Sequence, residues 1–171
     1  MSEERDLIRA AQNGSKDAFE GLYRRHWRSA YRAAYLVTHD AAASEDIAQE
    51  AFLAAARAMG RFDRRRPFAP WLHRIVVNRS IDWTRARAAR AEVLAGAPDQ
   101  EQVDRVAETS SELLTVLAAL PADQRAVVVL RYLLEYTPGE IAGMLELPRG
   151  TVNSRLRRGL DALSTQLETE T

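Results

Sequence analysis

The sequence predicts an all-α protein of two small helical domains joined by a flexible acidic linker, the second domain containing a helix-turn-helix. Three observations carry this. Strand signals are scarce: β-branched runs such as Ile75 to Val77 and Val127 to Val129 are short and lie inside longer patterns of helical period. Apolar residues recur at spacings of three and four through most of the chain. That periodicity is interrupted once at length, by the polar, acidic stretch AGAPDQEQVDRVAETSS with its Gly and Pro punctuation. With 171 residues the chain divides into a first domain over 1–90, a linker over 91–110 and a second domain over 111–171.

The elements follow in order. A short first helix stops at Asn13-Gly14, and Ser15 restarts the chain as an N-cap. The second helix runs through Phe19, Leu22, Tyr23, Trp27, Ala30, Tyr31 and Ala34, one continuous apolar stripe, until Thr38, His39 and Asp40 break it. A third helix reaches Met59 and is closed by Gly60; a fourth starts at Pro70 or Trp71 and ends near Arg90. In the second domain, helices are expected from about Ser111 to Leu120, Pro121 to Leu134, Pro138 to Leu145 and Arg149 to Thr165. No internal repeat appears.

Charge is segregated although the totals cancel, 24 basic residues against 24 acidic. From Arg61 to Arg90 there are nine arginines against Asp63 and Asp82, whereas Ala91 to Asp123 holds seven acids and only Arg105. Such a division fits a polyanion-binding surface followed by an acidic connector, or two solvated faces of opposite sign. The stretch RRRPFAPWLHRIVVN, Arg64 to Asn78, sets aromatic rings among the arginines, which neither a core segment nor a plain solvated loop requires. The absence of cysteine removes disulfides and thiolate metal sites and suits a reducing cytoplasm. His26, His39 and His73 have no paired metal-ligand spacing, and neither a phosphate-cradling glycine loop nor a catalytic acid set is present, so no enzyme, metal or cofactor is expected. No apolar run approaches membrane-spanning length, and the charged N-terminus lacks an export signal; a cytoplasmic location without membrane insertion is expected.

On the third helix Ala48, Phe52, Ala55 and Met59 share a narrow arc and form its core face. Asp46, Gln49, Glu50, Leu53 and Arg57 fall opposite. An apolar Leu53 amid charges is the pattern of a partner-binding helix, though a merely polar face would carry most of the same residues. Near the C-terminus, TPGEIAGMLELPRGTVNSRLRRGL combines a Thr137/Glu140 capping box with Pro138 at the first helical position. On the helix after Pro148, Val152, Leu156, Gly159, Leu160 and Leu163 share an inner face, while Ser154, Arg157 and Arg158 point away, flanked by Thr151, Asn153 and Arg155. A basic second helix in such a pair is the arrangement that enters a DNA major groove, where arginine forks bind guanine or phosphate. An ordinary helical hairpin would show the same apolar stripes.

The combination SEDIAQEAFLAA, the series Phe62, Phe68, Trp71, Leu72, Arg74, Ile75 and Asn78, then LPADQRAVVVLRYL and EIA…LPRGTVNSRLRRG resembles the bacterial extracytoplasmic-function sigma factors over nearly the whole chain. The resemblance implies that the first domain binds core RNA polymerase, through Asp46, Gln49, Glu50 and Leu53 on its clamp helices, with the flap as a further contact. It implies minus-ten recognition and melting by Arg61, Phe62, Arg64, Arg65, Arg66, Phe68, Trp71, Arg74 and Asn78, a flipped base entering a pocket lined by Phe62 and Asn78. Minus-thirty-five contacts map to Arg131, Thr151, Asn153, Ser154, Arg155, Arg157 and Arg158. An anti-sigma factor is the usual further partner. The interdomain stretch, reaching at most about 70 Å, would let the domains hold elements two DNA turns of about 34–36 Å apart.

Melting a duplex frees bases that need apolar pockets while the strands still need cations, so the resemblance gives the aromatic-arginine stretch a purpose. Trp71 could equally be a core anchor, Phe68 a loop plug, and Arg79 a residue serving the fold. Arg64 to Pro67 stand where the family often has glycine in the pocket loop, Glu135 and Glu146 stand at turn positions often filled by small residues, and Asn153 replaces a common basic residue. A stand-alone helix-turn-helix regulator is the alternative function, distinguished by whether the chain binds core polymerase without DNA.

Overall fold

The computed structural model describes residues 2–94 and 109–169, and among these it contains eight α-helices and no strand. The four N-terminal helices are α1 (Ser2–Gln12), α2 (Lys16–Thr38), α3 (Ala41–Ala58) and α4 (Phe68–Leu94). The four C-terminal ones are α5 (Ser111–Ala118), α6 (Ala122–Val128), α7 (Pro138–Leu145) and α8 (Arg149–Thr169). Most of the expected linker, 95–108, lies outside the described residues.

The caps explain most boundaries. Gly14, at φ +93°, turns the chain after α1, and the Ser15 hydroxyl accepts the Ala18 N–H at 3.2 Å to begin α2. His39 in the left-handed region ends α2, and Asp40 caps α3 by accepting the Ala43 N–H at 2.8 Å. Two expectations need correction. α3 ends at Ala58 rather than reaching Met59 and closing at Gly60; the chain tightens there into a 3-10 turn over Met59–Arg61. α4 begins at Phe68 rather than Pro70 or Trp71: Pro70 falls in its first turn, where its missing N–H is harmless.

A further correction concerns the helix expected to run unbroken from Pro121 to Leu134. α6 widens into a π-type segment over Val129–Leu133, with the Leu134 N–H bonding the Val129 carbonyl at 3.0 Å, five residues back. Glu135, at φ +61°, then turns the chain toward α7. α7 opens on the expected capping box, with Thr137 and Glu140 each satisfying the other's backbone N–H.

In the N-terminal core, Ile8, Leu22, Phe52, Phe68, Leu72 and Val76 pack together, with the alanines of α2 and α3 allowing close approach. The C-terminal core does not end at its own helices. Leu114, Leu117, Val127, Leu130, Ile141 and Val152 form one apolar cluster with Tyr35, Leu36 and Val37 of α2 and Val77 and Ile81 of α4. Ala33 to Thr38 are consequently buried on every side of α2, where the periodicity pointed to a single stripe.

Arg125 strengthens the same junction. Its buried guanidinium donates to the carbonyls of Leu117, Ala118 and Leu120 at 2.8–2.9 Å, satisfying the end of α5, and to Val37 of α2 at 2.5 Å. Burial lowers its pKa to about 10, so it stays cationic at neutral pH. On α8, Gly159 permits close packing on α6: a Cβ there would meet a Val128 methyl at 2.8 Å. Leu160, expected on the inner face, is 40% exposed.

Candidate nucleic-acid interface

The arginine-rich loop is a shaped segment. Asp63 accepts the backbone N–H of Arg65 at 3.0 Å and grips its guanidinium through two bonds of 3.0 and 3.1 Å, while the Arg66 N–H bonds the Asp63 carbonyl at 3.0 Å. From the other side Gln12 of α1 donates to the carbonyls of Met59 at 3.1 Å and Phe62 at 2.8 Å. Loop and α1 are therefore tied together.

Against this loop the aromatic residues divide. Phe68 is 0% exposed and packs edge-on between Phe62 and Trp71, at ring distances of 5.9 and 5.6 Å, with His26 beyond it at 5.0 Å. This corrects its place among the minus-ten residues, because a ring with no open face cannot touch DNA while the domain is folded. Phe62, 8% exposed, stacks obliquely on the half-buried Trp71 at 4.7 Å. Phe62 and Trp71 line a cavity of about 620 Å³ together with Arg61, Arg66 and Arg74, and the far wall is formed by Gly139, Glu140, Gly143 and Met144 of α7.

The C-terminal domain thus closes one side of the expected minus-ten surface. Asn78 donates to the Met144 carbonyl at 3.1 Å and to the Arg74 carbonyl at 2.8 Å, and it does not line the cavity with Phe62. Arg74 pairs with Glu146 at 2.5 Å. His73 bridges Ser29 and Tyr136, each at 2.6 Å. Burial, helped by the nearby charge of His26, lowers the His73 pKa to about 4, so the ring is neutral at pH 7; burial and then Glu140 push the Tyr136 phenol up to about 12. One hydroxyl must accept the single imidazole N–H while the other donates. Farther along α4, Arg85 pairs with Asp123.

The outer face of α8 is open. Asn153, Arg157 and Arg158 of α8 are exposed, and neither of these arginines makes an ion pair among the described residues. Thr151 and Ser154 are half-buried; Ser154 bonds the Thr151 carbonyl at 3.3 Å. Arg155 leans inward, 3.8 Å from Asp123, so it is less free for DNA than its neighbours. Arg131 lies on the π-type segment with its guanidinium over the Tyr132 ring at 5.6 Å. On α3, Ala48, Phe52, Ala55 and Met59 are buried as expected. Asp46, Gln49 and Glu50 are exposed around Leu53, which is 57% exposed, and Arg79 of α4 reaches Glu50 at 3.1 Å. Arg79 thereby braces the rim of this face.

Sequence reading missed Arg125, the His73–Tyr136 bridge and Glu146 as interdomain contacts. The all-round apolar AAYLVT at the end of α2 was the available signal for a second packing partner.

No described helix is long and apolar enough to cross a membrane. Sigma-70 region 2 matches residues 22–90, and Sigma-70, region 4 matches residues 110–163. The ECF RNA polymerase sigma factor SigM of Mycobacterium tuberculosis is 38% identical over 165 residues, 95% of this chain and 83% of that one. The ECF RNA polymerase sigma factor SigW of Bacillus subtilis is 31% identical over 94% of each chain. Among solved structures, CnrH in complex with the cytosolic domain of CnrY superposes with a TM-score of 0.73 at 29% identity over 99% of both chains. Two matched regions in the order of the two helical domains, and relatives similar along nearly their full length, place this chain among the extracytoplasmic-function RNA polymerase sigma factors, non-enzymatic proteins that direct transcription initiation.

Proposed function

We propose that the chain divides promoter recognition between its domains: α8 reads the minus-thirty-five element in the major groove, and the loop and first turns of α4 capture a minus-ten base while the exposed face of α3 holds core polymerase. The observation that carries this is the Phe62–Trp71 cavity, whose lining also includes Arg61, Arg66 and Arg74, because rings and guanidiniums in one cavity suit a flipped base and its phosphates together. Asp46, Gln49, Glu50 and Leu53 present an apolar centre with a polar rim, the make-up of a protein-docking patch.

Base capture requires the domains to part. Arg74 and Asn78, the groups assigned to the strand, are engaged by Glu146 and by the Met144 carbonyl, which offer an anion and an acceptor much as DNA would. The polymerase-facing residues of α3 carry no such cover. Core binding therefore comes first and DNA opening second. The relative CnrH is solved with the cytosolic domain of CnrY, and a comparable protein inhibitor would act on this chain by holding the closed arrangement or covering α3. A reducing cytoplasm suits all of this.

The test is transcription with purified core polymerase on a promoter the chain recognises. Phe62→Ala is expected to leave core and duplex binding intact and to reduce opening, read as loss of permanganate reactivity at unpaired thymines. Wild-type reactivity in that variant would remove the cavity from the melting step.

A further inference from the structure

The arginine-rich loop also borders a second hollow, of about 250 Å³, lined by Arg5 and Arg9 of α1 and by Arg64 and Arg65. No acid lines it. Arg65 is paired with Asp63, but Arg5, Arg9 and Arg64 make no ion pair among the described residues. α1 sorts its charges: Glu3 and Glu4 turn to α2, bonding Arg25 at 3.0 Å and His26 at 2.5 Å, while the arginines edge the loop.

Neither helix stability nor flexibility accounts for the convergence. Arg9, in the last turn, is favoured by the helix dipole, but Arg5 near the start is not, and like charges four residues apart on a helix repel. The Gln12 bonds to the Met59 and Phe62 carbonyls hold α1 beside the loop, so Arg5 and Arg9 line one hollow with Arg64 and Arg65, of which only Arg65 is paired with an acid, Asp63. Four guanidiniums and no aromatic ring suit phosphate oxygens and offer a base nothing to stack on. α1 precedes the residues matched by the region 2 family, 22–90.

We infer that Arg5 and Arg9 complete, with Arg64 and Arg65, a phosphate cradle for the single DNA strand leaving the base cavity. This rests on the proposed reading of that cavity. The loop is the shared wall: Arg61 and Arg66 face the larger space and Arg64 and Arg65 the smaller, so a strand with a base in the first brings its neighbouring phosphates to the second. Contacts of this kind hold the strand without reading its sequence.

The test uses full-length chain on core polymerase, comparing wild type with R5Q/R9Q on two probes: a fork whose non-template strand is single-stranded through the minus-ten element, and a duplex ending before it. Loss of two single-strand phosphate contacts should lower the slope of log affinity against log salt by about 1.4 on the fork. The duplex slope and core affinity should stay at wild-type values, and R5K/R9K should restore most of the fork slope. An unchanged fork slope, or equal loss on both probes, overturns the cradle; weakened core binding does so as well, by assigning the arginines to a protein partner. Phe62→Ala is run beside them: if it weakens fork binding while R5Q/R9Q does not, the cradle alone fails, and if it too binds like wild type, the base cavity fails with it.

Discussion

The two surfaces assigned to DNA are held differently. Arg157, Arg158 and Asn153 on α8 face solvent, whereas Arg74 and Asn78 on α4 are bonded to Glu146 and to the Met144 carbonyl across the domain junction. The α3 face resembles α8 in being uncovered. Under the proposed division of roles, the difference implies an order of events: the faces proposed to act first are open, and the face proposed to act after the duplex melts is covered by the second domain.

The strongest way to break this contrast is to remove its anchor. Arg125→Ala would remove the side-chain bonds to four carbonyls, of which Leu117 keeps backbone donors, with a cost of about 3 kcal/mol or more, read by urea unfolding; a loss under 1 kcal/mol would mean that the junction does not depend on Arg125. Acidification should act next. An unfolded imidazole takes up its proton near pH 6.5, but His73 and His39 in the folded chain do so only near 4, so the unfolded state binds more protons in that interval and stability falls as pH drops through it. The effect is at most about 3 kcal/mol per ring, and His73→Gln should flatten the pH profile of unfolding relative to wild type. A wild-type profile in that variant would show that His73 carries none of the dependence.

Arg158→Ala tests the open side. It should weaken binding to a minus-thirty-five duplex by about 1–3 kcal/mol if the side chain reads a base, or chiefly reduce the salt slope if it touches phosphate; unchanged binding removes it from the interface. The smallest effect is expected from Glu146→Gln. The exposed pair with Arg74 is worth under about 1 kcal/mol, so fork-probe affinity should rise by less than about fivefold, and a fall would contradict competition between Glu146 and DNA for Arg74.

Much of the fold was legible because local chemistry determined it: Ser15 and the Thr137–Glu140 pair cap the helices where their residue types indicate, and Asp40, read only as part of the break after the second helix, also caps α3. The core face of α3 and the basic outer face of α8 likewise followed from helical period. What escaped depends on contacts distant in sequence. Nothing beside Asn78 announces Met144, 66 residues away, and an arginine inside QRAVVVL gives no sign of binding Val37 across 88 residues. The π-type widening of α6 was equally silent, since it changes no residue's hydrophobicity. Phe68 was misplaced because a ring beside arginines reads the same whether it faces DNA or the core; the packing of Phe62, Trp71 and His26 around it decides the matter.

The closed junction is tested most directly by the distance between the domains before and after core binding. The chain has no cysteine, so single cysteines at the exposed positions Asp17 of α2 and Thr165 of α8 take a donor–acceptor dye pair without background labelling. High transfer efficiency in the free chain, falling when core polymerase is added and before any DNA, is the predicted result. Efficiency unchanged by core polymerase in a preparation that goes on to open promoters would contradict the account.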